Sequence, residues 1–266
     1  MSFERIDMYL EKVLSKYDNN DIFYSNERIK SLISDSIRII FNDIRIDYSM
    51  RISIEQSGSL AKGTAIKGKS DIDLFISLED PNNKITTEDF HKALYRYLSK
   101  QFIDIREQNV SIGIKYSGFD IDVVPAKKIN TKSYENYNDH YLWSNKKHGR
   151  IQTNIQKHID MVKNSTCQDI IMILKVWREY NRIEFPSIFI EQLCIEVLGK
   201  YNCSSLSQKF YQMMSVIWEN LDDIYIIDPS NSGNIISDIM NNGEKKELKS
   251  LAFYTLNATD ISNYIG

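Results

Sequence analysis

Two aspartates separated by a single residue, Asp71 and Asp73, are the side chains of this 266-residue chain best suited to chemistry. They lie in residues 70–78, where alternating apolar residues predict a β-strand whose side chains point to opposite faces in turn. Both carboxylates therefore share one face, with Cα atoms about 6.6 Å apart at the usual rise of a strand. Carboxylates at that span can share divalent cations about 3.5–4 Å apart, as two-metal sites require.

A turn that suits a phosphate group precedes this strand. Gly58 and Ser59 follow an alternating segment over residues 51–56 and open a short helical segment. Glycine lets backbone amides approach a phosphate closely, and the start of a helix supplies free N–H groups with a partial positive charge. The hydroxyl of Ser59 can add one more donor.

A later segment, residues 119–125, supplies further carboxylates in the pattern Asp120-Ile121-Asp122. A metal site for phosphoryl transfer needs a third carboxylate from an adjacent strand, beside the attacking hydroxyl, whose proton it can accept. We choose Asp122 for this role and keep Asp120 as the second candidate. Two acidic pairs on neighbouring strands repel one another unless cations lie between them, which favours metal binding.

The elements that must position these residues form an α+β pattern. Residues 110–116 and 119–125 predict a hairpin around Ser117-Gly118, and beyond about residue 134 only helical periods are visible. We therefore expect a mixed sheet with flanking helices over residues 1–130, a helical domain over 131–266, and an active site in the cleft between them. Helices are predicted over residues 4–17, 26–47, 87–102, 167–181, 187–199 and 205–220.

Composition and charge narrow the class of protein. The net charge of -3 gives no global case for nucleic-acid binding, but seven basic and two acidic side chains make residues 126–158 locally +5, a field that attracts a polyanion such as a nucleoside triphosphate. Three cysteines without CxxC spacing argue against disulfides and zinc. No apolar run reaches bilayer length and the N-terminus has no signal pattern, so we expect a cytoplasmic protein without a membrane partner.

Taken together, the Gly58-Ser59 turn, the Asp71-x-Asp73 strand and the later Asp122-Val-Val-Pro resemble the DNA polymerase β-like nucleotidyltransferase superfamily. Within it, the chain resembles the branch of the bacterial CD-NTases, which make cyclic oligonucleotides in anti-phage (CBASS) signalling. The resemblance implies that Asp71, Asp73 and Asp122 hold two Mg²⁺ ions, for which Mn²⁺ can substitute.

The resemblance also implies nucleotide-binding residues. Gly58 and Ser59 would hold the triphosphate, Lys175 resembles a helical lysine that contacts phosphates, and Ser187 resembles a phosphate-binding serine at the start of the next helix. The expected substrates are NTPs, ATP among them, and the expected protein is a monomer that regulatory or effector proteins can engage. Two alternatives stay open: an RNA- or tRNA-directed nucleotidyltransferase similar to CCA-adding enzymes, and a non-catalytic nucleotide sensor or scaffold.

Overall fold

The computed structural model describes residues 2–18, 31, 49–130 and 138–266. The helix predicted over residues 26–47 falls almost wholly outside these residues. The helices and strands, in chain order, are α1 (Phe3–Tyr17), β1 (Arg51–Gln56), α2 (Gly58–Lys62), β2 (Ile72–Glu79), α3 (Thr87–Gln101), β3 (Ile105–Glu107), β4 (Ile112–Tyr116), β5 (Phe119–Lys128), β6 (His140–Ser144), β7 (Gly149–Thr153), α4 (Ile155–Lys163), α5 (Gln168–Asn181), α6 (Ser187–Leu198), α7 (Leu206–Asn220), β8 (Ile227–Asp228), β9 (Asn231–Ile235) and α8 (Asn242–Leu256).

The chain divides into two compact units that are each discontinuous in sequence. The sheet unit comprises residues 20–62 and 70–159, and the helical unit comprises residues 1–19, 63–69 and 160–266. This division differs from the predicted boundary at residue 130. The first helix and a short segment, 63–69, join the helical unit, whereas the residues up to 159 join the sheet unit.

The sheet unit is organised around β2 and β5, which pair in parallel. Among the described residues, the sheet has seven strands: five follow the order β1-β2-β5-β4-β3, while β6 pairs with both β5 and β7. The strand β5 is long because it serves two partners on one edge, β4 with its first half and β6 with its last three residues. Pro125, which has no N–H to donate, lies at the residues where pairing passes from β4 to β6.

The hairpin predicted around Ser117-Gly118 joins β4 to β5. Both turn residues have positive φ angles, 51° at Ser117 and 82° at Gly118. Two successive residues of this kind form the tight turn whose twist matches that of antiparallel strands. The turn aligns Asp122 with Gly113 and Asp120 with Lys115 across the hairpin.

One face of the sheet is covered by α3, and this decides where the aspartates point. Ile72, Leu74 and Ile76 of β2 pack in one hydrophobic cluster with Phe90 and Leu94 of α3. Side chains alternate along a strand, so Asp73 lies on the opposite face of β2. The same cluster contains Ile121 and Val123, which places Asp122 on that opposite face as well.

The prediction that only helices follow residue 134 was wrong. Residues 140–144 and 149–153 form the antiparallel pair β6 and β7, and the short strands β8 and β9 form a second sheet. In β6, His140, Leu142 and Ser144 are buried while Tyr141 and Trp143 are only half-buried, which is the alternation of a strand. The predicted helices after residue 166 are confirmed as α5, α6 and α7.

The helical unit has its own core, centred on α5. Trp177 is fully buried, and its indole N–H donates to the Thr255 hydroxyl of α8 at 3.0 Å. No helix in the described part of the chain is long and apolar enough to cross a membrane.

A buried ion pair closes the end of β2 against β5. The Lys127 ammonium donates to Asp80 at 3.0 Å and to the Asn83 side chain at 2.6 Å. Burial works to raise the pKa of the Asp80 carboxyl, but the Ile85 amide and Lys127 together hold that pKa below its usual range. The carboxylate therefore stays charged, and it depends on Lys127 for compensation.

Replacing Lys127 with Met should lower the free energy of unfolding by about 3–5 kcal/mol, because Asp80 would be left as an uncompensated buried charge. Urea denaturation at neutral pH measures this loss. The matched control is Lys92→Met, which removes an exposed pair with Glu88 and should leave stability almost unchanged. Equal effects of the two variants would contradict the importance assigned to the buried pair.

Candidate active site

Asp73 and Asp122 lie side by side on the two central strands. The register of the parallel pair β2–β5 places the Cα of Asp73 opposite that of Asp122, and both side chains are half-buried. Neighbouring strands are only about 4.8 Å apart, so the two carboxyl groups share one small region of the sheet face. This juxtaposition brings together two of the three predicted carboxylates.

Asp71 occupies a different position from the one predicted. The strand β2 begins at Ile72, so Asp71 precedes the strand instead of lying within it, and its side chain is exposed. Its charge nevertheless acts on Asp73, together with that of Asp122. The three aspartates thus form one electrostatic group without sharing one regular strand geometry.

The pKa of Asp73 shows how strongly burial and the neighbouring carboxylates disfavour its negative charge. Burial raises the pKa of Asp73 to about 7, and the negative charges of Asp122 and Asp71 add to the rise. The charge of Lys62 and a hydrogen bond from the Ser59 backbone amide oppose it without cancelling it. The ionised form of this carboxyl group is therefore disfavoured, and a cation bound beside it would stabilise that form.

The predicted phosphate turn is in direct contact with Asp73. The Ser59 amide donates to the Asp73 carboxylate, and the Ser57 amide donates to the Asp73 backbone carbonyl at 2.9 Å. Gly58 has a φ of +60°, and a Cβ built on it would lie 1.7 Å from Oδ2 of Asp73. Only glycine therefore fits at residue 58, because both the backbone conformation and the carboxylate exclude a side chain.

Asp122 is held by residues that sequence analysis missed. The side chains of Gln108 and Ser111 lie within hydrogen-bonding reach of its carboxylate, and Arg106 acts on it through charge. Burial is the largest influence and raises the pKa of Asp122, although these three residues counteract it. All three lie in or beside β3 and β4, and no spacing in the sequence indicated that they would meet β5.

Asp120, the second candidate, is compensated by basic residues. Its carboxylate lies 3.8 Å from Arg106 and 3.7 Å from Lys115, which is also its partner across the hairpin. Asp122 has the strand partner Asp73 instead. The geometry therefore supports Asp122 over Asp120 as the third carboxylate.

The expected convergence of three carboxylates on one point is not formed. Within residues 2–18, 31, 49–130 and 138–266, no three His, Cys, Asp or Glu side chains are arranged to hold a metal ion. Asp73 accepts a hydrogen bond from the Ser59 amide, and Asp122 is hydrogen-bonded to the side chains of Gln108 and Ser111. The chemistry of the set still fits a hard divalent cation, because the groups are oxygen donors whose raised pKa values reflect burial and, for Asp73, mutual repulsion.

Lys175 and Ser187 belong to the helical unit, and their contacts differ from those expected of phosphate ligands. Lys175 is 2% exposed, and its ammonium donates to Thr64 and Glu191. The Ser187 hydroxyl accepts a hydrogen bond from Arg178 at 3.2 Å. The Lys175 ammonium is therefore paired inside the protein in this structure, and its contact with a phosphate stays a prediction.

The basic stretch over residues 126–158 contributes less free positive charge than its composition suggests. Lys127 is paired with Asp80 inside the protein, and Lys132 and Glu135 lie outside the described residues. The Arg150 guanidinium stacks over the Tyr141 ring at 4.8 Å. The prediction of a triphosphate-attracting field therefore draws no support from Lys127.

Gly58→Ala should abolish any chemistry that depends on Asp73, since the new methyl group would displace its carboxylate. Gly118→Ala is the matched control: Gly118 has a φ of +82° but no atom within 4 Å of a built Cβ. Gly118→Ala should lose about 1 kcal/mol for the strained backbone, and Gly58→Ala should lose more because its methyl group also meets Asp73. At a temperature where both variants are folded, only Gly58→Ala should lose activity. Thermal denaturation and turnover measurements on both proteins check this, and an active Gly58→Ala protein would contradict the packing.

The chain is similar to a known protein family and to several known proteins. A family model described as the Second Messenger Oligonucleotide or Dinucleotide Synthetase (SMODS) domain matches residues 8–165, more than half of the chain. A cyclic AMP-AMP-AMP synthase of Escherichia coli is 24% identical over 165 residues, 57% of this chain and 50% of that protein. A CCA-adding enzyme of Pyrobaculum islandicum is 30% identical over 118 residues, 43% of this chain and 26% of that protein. The chain thus matches at most half of the length of these two relatives.

The fold is shared with solved bacterial proteins. CdnC of Escherichia coli MS115-1, solved with ATP, superimposes with a TM-score of 0.70 at 17% identity, covering 96% of this chain and 93% of that one. The same protein has been solved in a complex with HORMA-deltaN. Because the family model spans both the Gly58-Ser59 turn and all three aspartates, the chain belongs to the SMODS family of second messenger oligonucleotide or dinucleotide synthetase domains.

Proposed function

We propose that this protein is a nucleotidyltransferase that joins NTPs into a cyclic di- or oligonucleotide second messenger. The observation that carries the proposal is the contact of three features: Asp73 opposite Asp122 on parallel strands, and the Gly58-Ser59 turn against Asp73. A half-buried carboxyl with a pKa of about 7, beside two more carboxylates and the Ser59 backbone amide, suits a site for a cation and a phosphate.

Each residue has a role that follows from its position. The Ser59 amide, now bonded to Asp73, would donate to the triphosphate when a substrate is present. Asp71, Asp73 and Asp122 would hold two Mg²⁺ ions, or Mn²⁺ in their place. When bound, these ions would neutralise charge on the phosphates and would lower the pKa of the acceptor hydroxyl. Cation binding would require Asp73 and Asp122 to turn from their present hydrogen bonds toward a common point.

The chemical step is an in-line displacement at the α-phosphorus. A ribose hydroxyl oxygen forms a bond to that phosphorus, the bond from the α-phosphorus to the bridging oxygen breaks, and pyrophosphate leaves with the electron pair. Asp122 is positioned to take the hydroxyl proton, since its raised pKa makes it a stronger base than an exposed carboxylate. Gln108 and Ser111 would orient it.

The acceptor is proposed to be a second nucleotide, ATP being among the substrates. The family match and the cyclic AMP-AMP-AMP synthase support a cyclic product and a role in anti-phage (CBASS) signalling. The solved complexes of CdnC with ATP and with HORMA-deltaN support ATP as a substrate and a regulatory protein as a partner. Lys175 and Ser187 remain proposed phosphate contacts, and binding would require them to exchange their present partners Glu191 and Arg178 for the phosphates.

A second candidate is an RNA- or tRNA-directed nucleotidyltransferase. The similarity to a CCA-adding enzyme favours it, and the same three aspartates would perform the same displacement with an RNA 3′ end as the acceptor. The two candidates therefore share a site and differ only in the acceptor.

The decisive experiment incubates the full chain with labelled NTPs and Mg²⁺ or Mn²⁺ in the absence of RNA. A phosphatase-resistant product identified by mass spectrometry is the expected result, and Asp122→Ala should reduce its rate by more than about a hundredfold. Asp120→Ala is the matched control on the same strand face and should keep most of the rate. Product that forms only with added tRNA would establish the second candidate, and nucleotide binding without turnover would indicate a sensor.

The raised pKa of Asp73 makes stability depend on pH in a defined direction. The folded state favours the protonated form, so this contribution is complete below pH 3.8 and is lost as the pH rises through about 7. Without divalent cations, Asp73→Asn should therefore stabilise the protein, by up to about 4 kcal/mol at pH 8 and by less at pH 5.

Thermal denaturation at both pH values measures this gain, with and without Mg²⁺. Mg²⁺ should stabilise the unmodified protein at pH 8 but not the Asp73→Asn variant, since the variant lacks the charge that attracts the cation. Asp71→Asn is the control at an exposed position and should give a smaller gain. A variant that is destabilised equally at pH 5 and pH 8 would contradict the electrostatic origin.

A further inference from the structure

A cavity of about 610 Å³ lies within the sheet unit. Its walls come from the start of α3, the end of β5 and the hairpin formed by β6 and β7. Cavities of about 300–1,000 Å³ are typical of sites for small molecules. The cavity is therefore large enough for a ligand of the size of one nucleotide.

The alternation of side chains places this cavity on the face of the sheet opposite to Asp73 and Asp122. The strand β5 pairs with β2 without a break from Ile121 to Lys127, so Lys127 lies on the same face as Ile121 and on the other face from Asp122. Lys127 lines the cavity, and Tyr141, its partner across β5 and β6, shares its face. The cavity is thus separate from the candidate active site.

One wall of the cavity carries two aromatic rings and a guanidinium group. Tyr141 and Trp143 are two residues apart on β6, so their rings share this face, and Arg150 of β7 is the strand partner of Trp143. The Arg150 guanidinium lies over the Tyr141 ring, 4.8 Å from its centroid. The indole N–H of Trp143 donates to the Asn145 side chain at 2.9 Å, which orients the ring. The wall therefore presents an aromatic surface beside a positive charge.

Arg150 supplies the positive charge that a ligand can reach. Its side chain is exposed, and within the described residues it pairs with no carboxylate. A guanidinium stacked on a ring keeps the N–H donors at its edge available, and their spacing matches the oxygens of a phosphate. Residues 145–150 contain three basic side chains and no acidic one, which adds to the attraction for anions. Lys127, by contrast, already donates to Asp80 and Asn83.

The cavity lacks the groups that nucleotidyl transfer requires. Among the described residues that line it, Glu88 is the one acidic side chain, and it is paired with Lys92 at 2.6 Å. A two-metal site needs several carboxylates that can share the cations. A nucleotide in this cavity would therefore be held without divalent cations and would not be converted.

We propose that this cavity is a second nucleotide site, which binds one nucleoside phosphate without converting it. The base would stack on the rings of Tyr141 and Trp143, and the phosphate would accept hydrogen bonds from Arg150. Every base has a face that can stack, so this wall selects nucleotides as a class and not one particular base. The site does not depend on the chemistry proposed for the aspartates.

Binding of AMP to the full chain in the presence of EDTA tests the proposal. Isothermal titration calorimetry should show one AMP bound per chain without divalent cations. Arg150→Ala should weaken this binding by about tenfold or more, because the charged donor to the phosphate is lost. Arg96→Ala is the matched control: it removes the same charge from an exposed position of α3 outside the lining, and it should change the affinity by less than about twofold.

Gly58→Ala separates the cavity from the candidate active site, because it alters the turn beside Asp73 on the other face of the sheet. This variant should bind AMP in EDTA as tightly as the unmodified protein does. Binding that is lost in Gly58→Ala and kept in Arg150→Ala would place the nucleotide at the candidate active site and would overturn the proposal. An unmodified protein that binds no AMP in EDTA would overturn it as well.

Trp143 reports directly on stacking. Bound AMP should quench the tryptophan emission of the unmodified protein, and Trp143→Phe should lose this part of the quenching while keeping most of the affinity, because phenylalanine retains a ring. A quenching that is unchanged in Trp143→Phe would overturn the proposed stacking.

Fragments of the nucleotide test the class of ligand. Adenosine lacks the phosphate and ribose 5-phosphate lacks the base, so each should bind about tenfold more weakly than AMP. Ribose 5-phosphate that binds as tightly as AMP would show an anion site without a base contact. A single-stranded oligoadenylate that binds far more tightly than AMP would show a nucleic-acid surface. Either result would overturn the assignment to a single nucleoside phosphate.

Discussion

The burial of two neighbouring carboxyl groups, with the repulsion that adds to it at Asp73, is the constraint on which the rest of the structure depends. The parallel pairing of β2 with β5 sets Asp73 beside Asp122, and no rearrangement of side chains alone removes two like charges that the backbone register has placed there. The fold tolerates this because the opposite faces of both strands are thoroughly apolar and packed on α3. Hydrophobic packing on one face of the sheet thus holds Asp73 and Asp122 close together on the other face, despite their unfavourable interaction.

Neighbouring donors and basic side chains offset the rise in the pKa values of the two aspartates only in part. The Ser59 amide and Lys62 favour the charged form of Asp73, and Gln108, Ser111 and Arg106 favour that of Asp122. None of these groups returns the pKa of Asp73 or Asp122 to its ordinary value. A cation bound at this place would stabilise both carboxylates, as it would in a metal-dependent enzyme. Such tension between stability and chemistry is common at active sites, which are less stable than an optimised core would be.

Much of this could be predicted from the sequence, where local chemistry is decisive. The Ser117-Gly118 turn fixes the hairpin, and the apolar alternation of β2 identifies the face that carries Asp73. The strands β6 and β7 were missed because their basic and aromatic residues hide a half-buried alternation, and because His148, with a φ of 46°, is not a usual turn signal. Gln108 and Ser111 depend on tertiary pairing of β4 with β5, which no local spacing reveals.

The burial of Lys175 could have been predicted from the sequence of its helix, but its partner could not. Residues 170–177 are buried at every position except Met172, so the helix α5 is apolar nearly all round. A helix of that kind has no solvent face, and a lysine within it needs a buried acidic partner. The sequence contains that partner in Glu191, but only the packing of α5 against α6 identifies it among 36 acidic residues.

The interleaving of the two units along the chain bears on how the protein is synthesised. During translation, a fragment ending at Ile159 would already contain all seven strands that the structure describes in the main sheet, together with α1. It would still lack α5 and α6, and with α5 the Lys175 partner of Thr64. The nascent sheet would emerge with an unsatisfied loop until α5 and α6 leave the ribosome. Excising either unit by a single cut is therefore impossible, and dissection by truncation would separate the loop from the residues that shelter it.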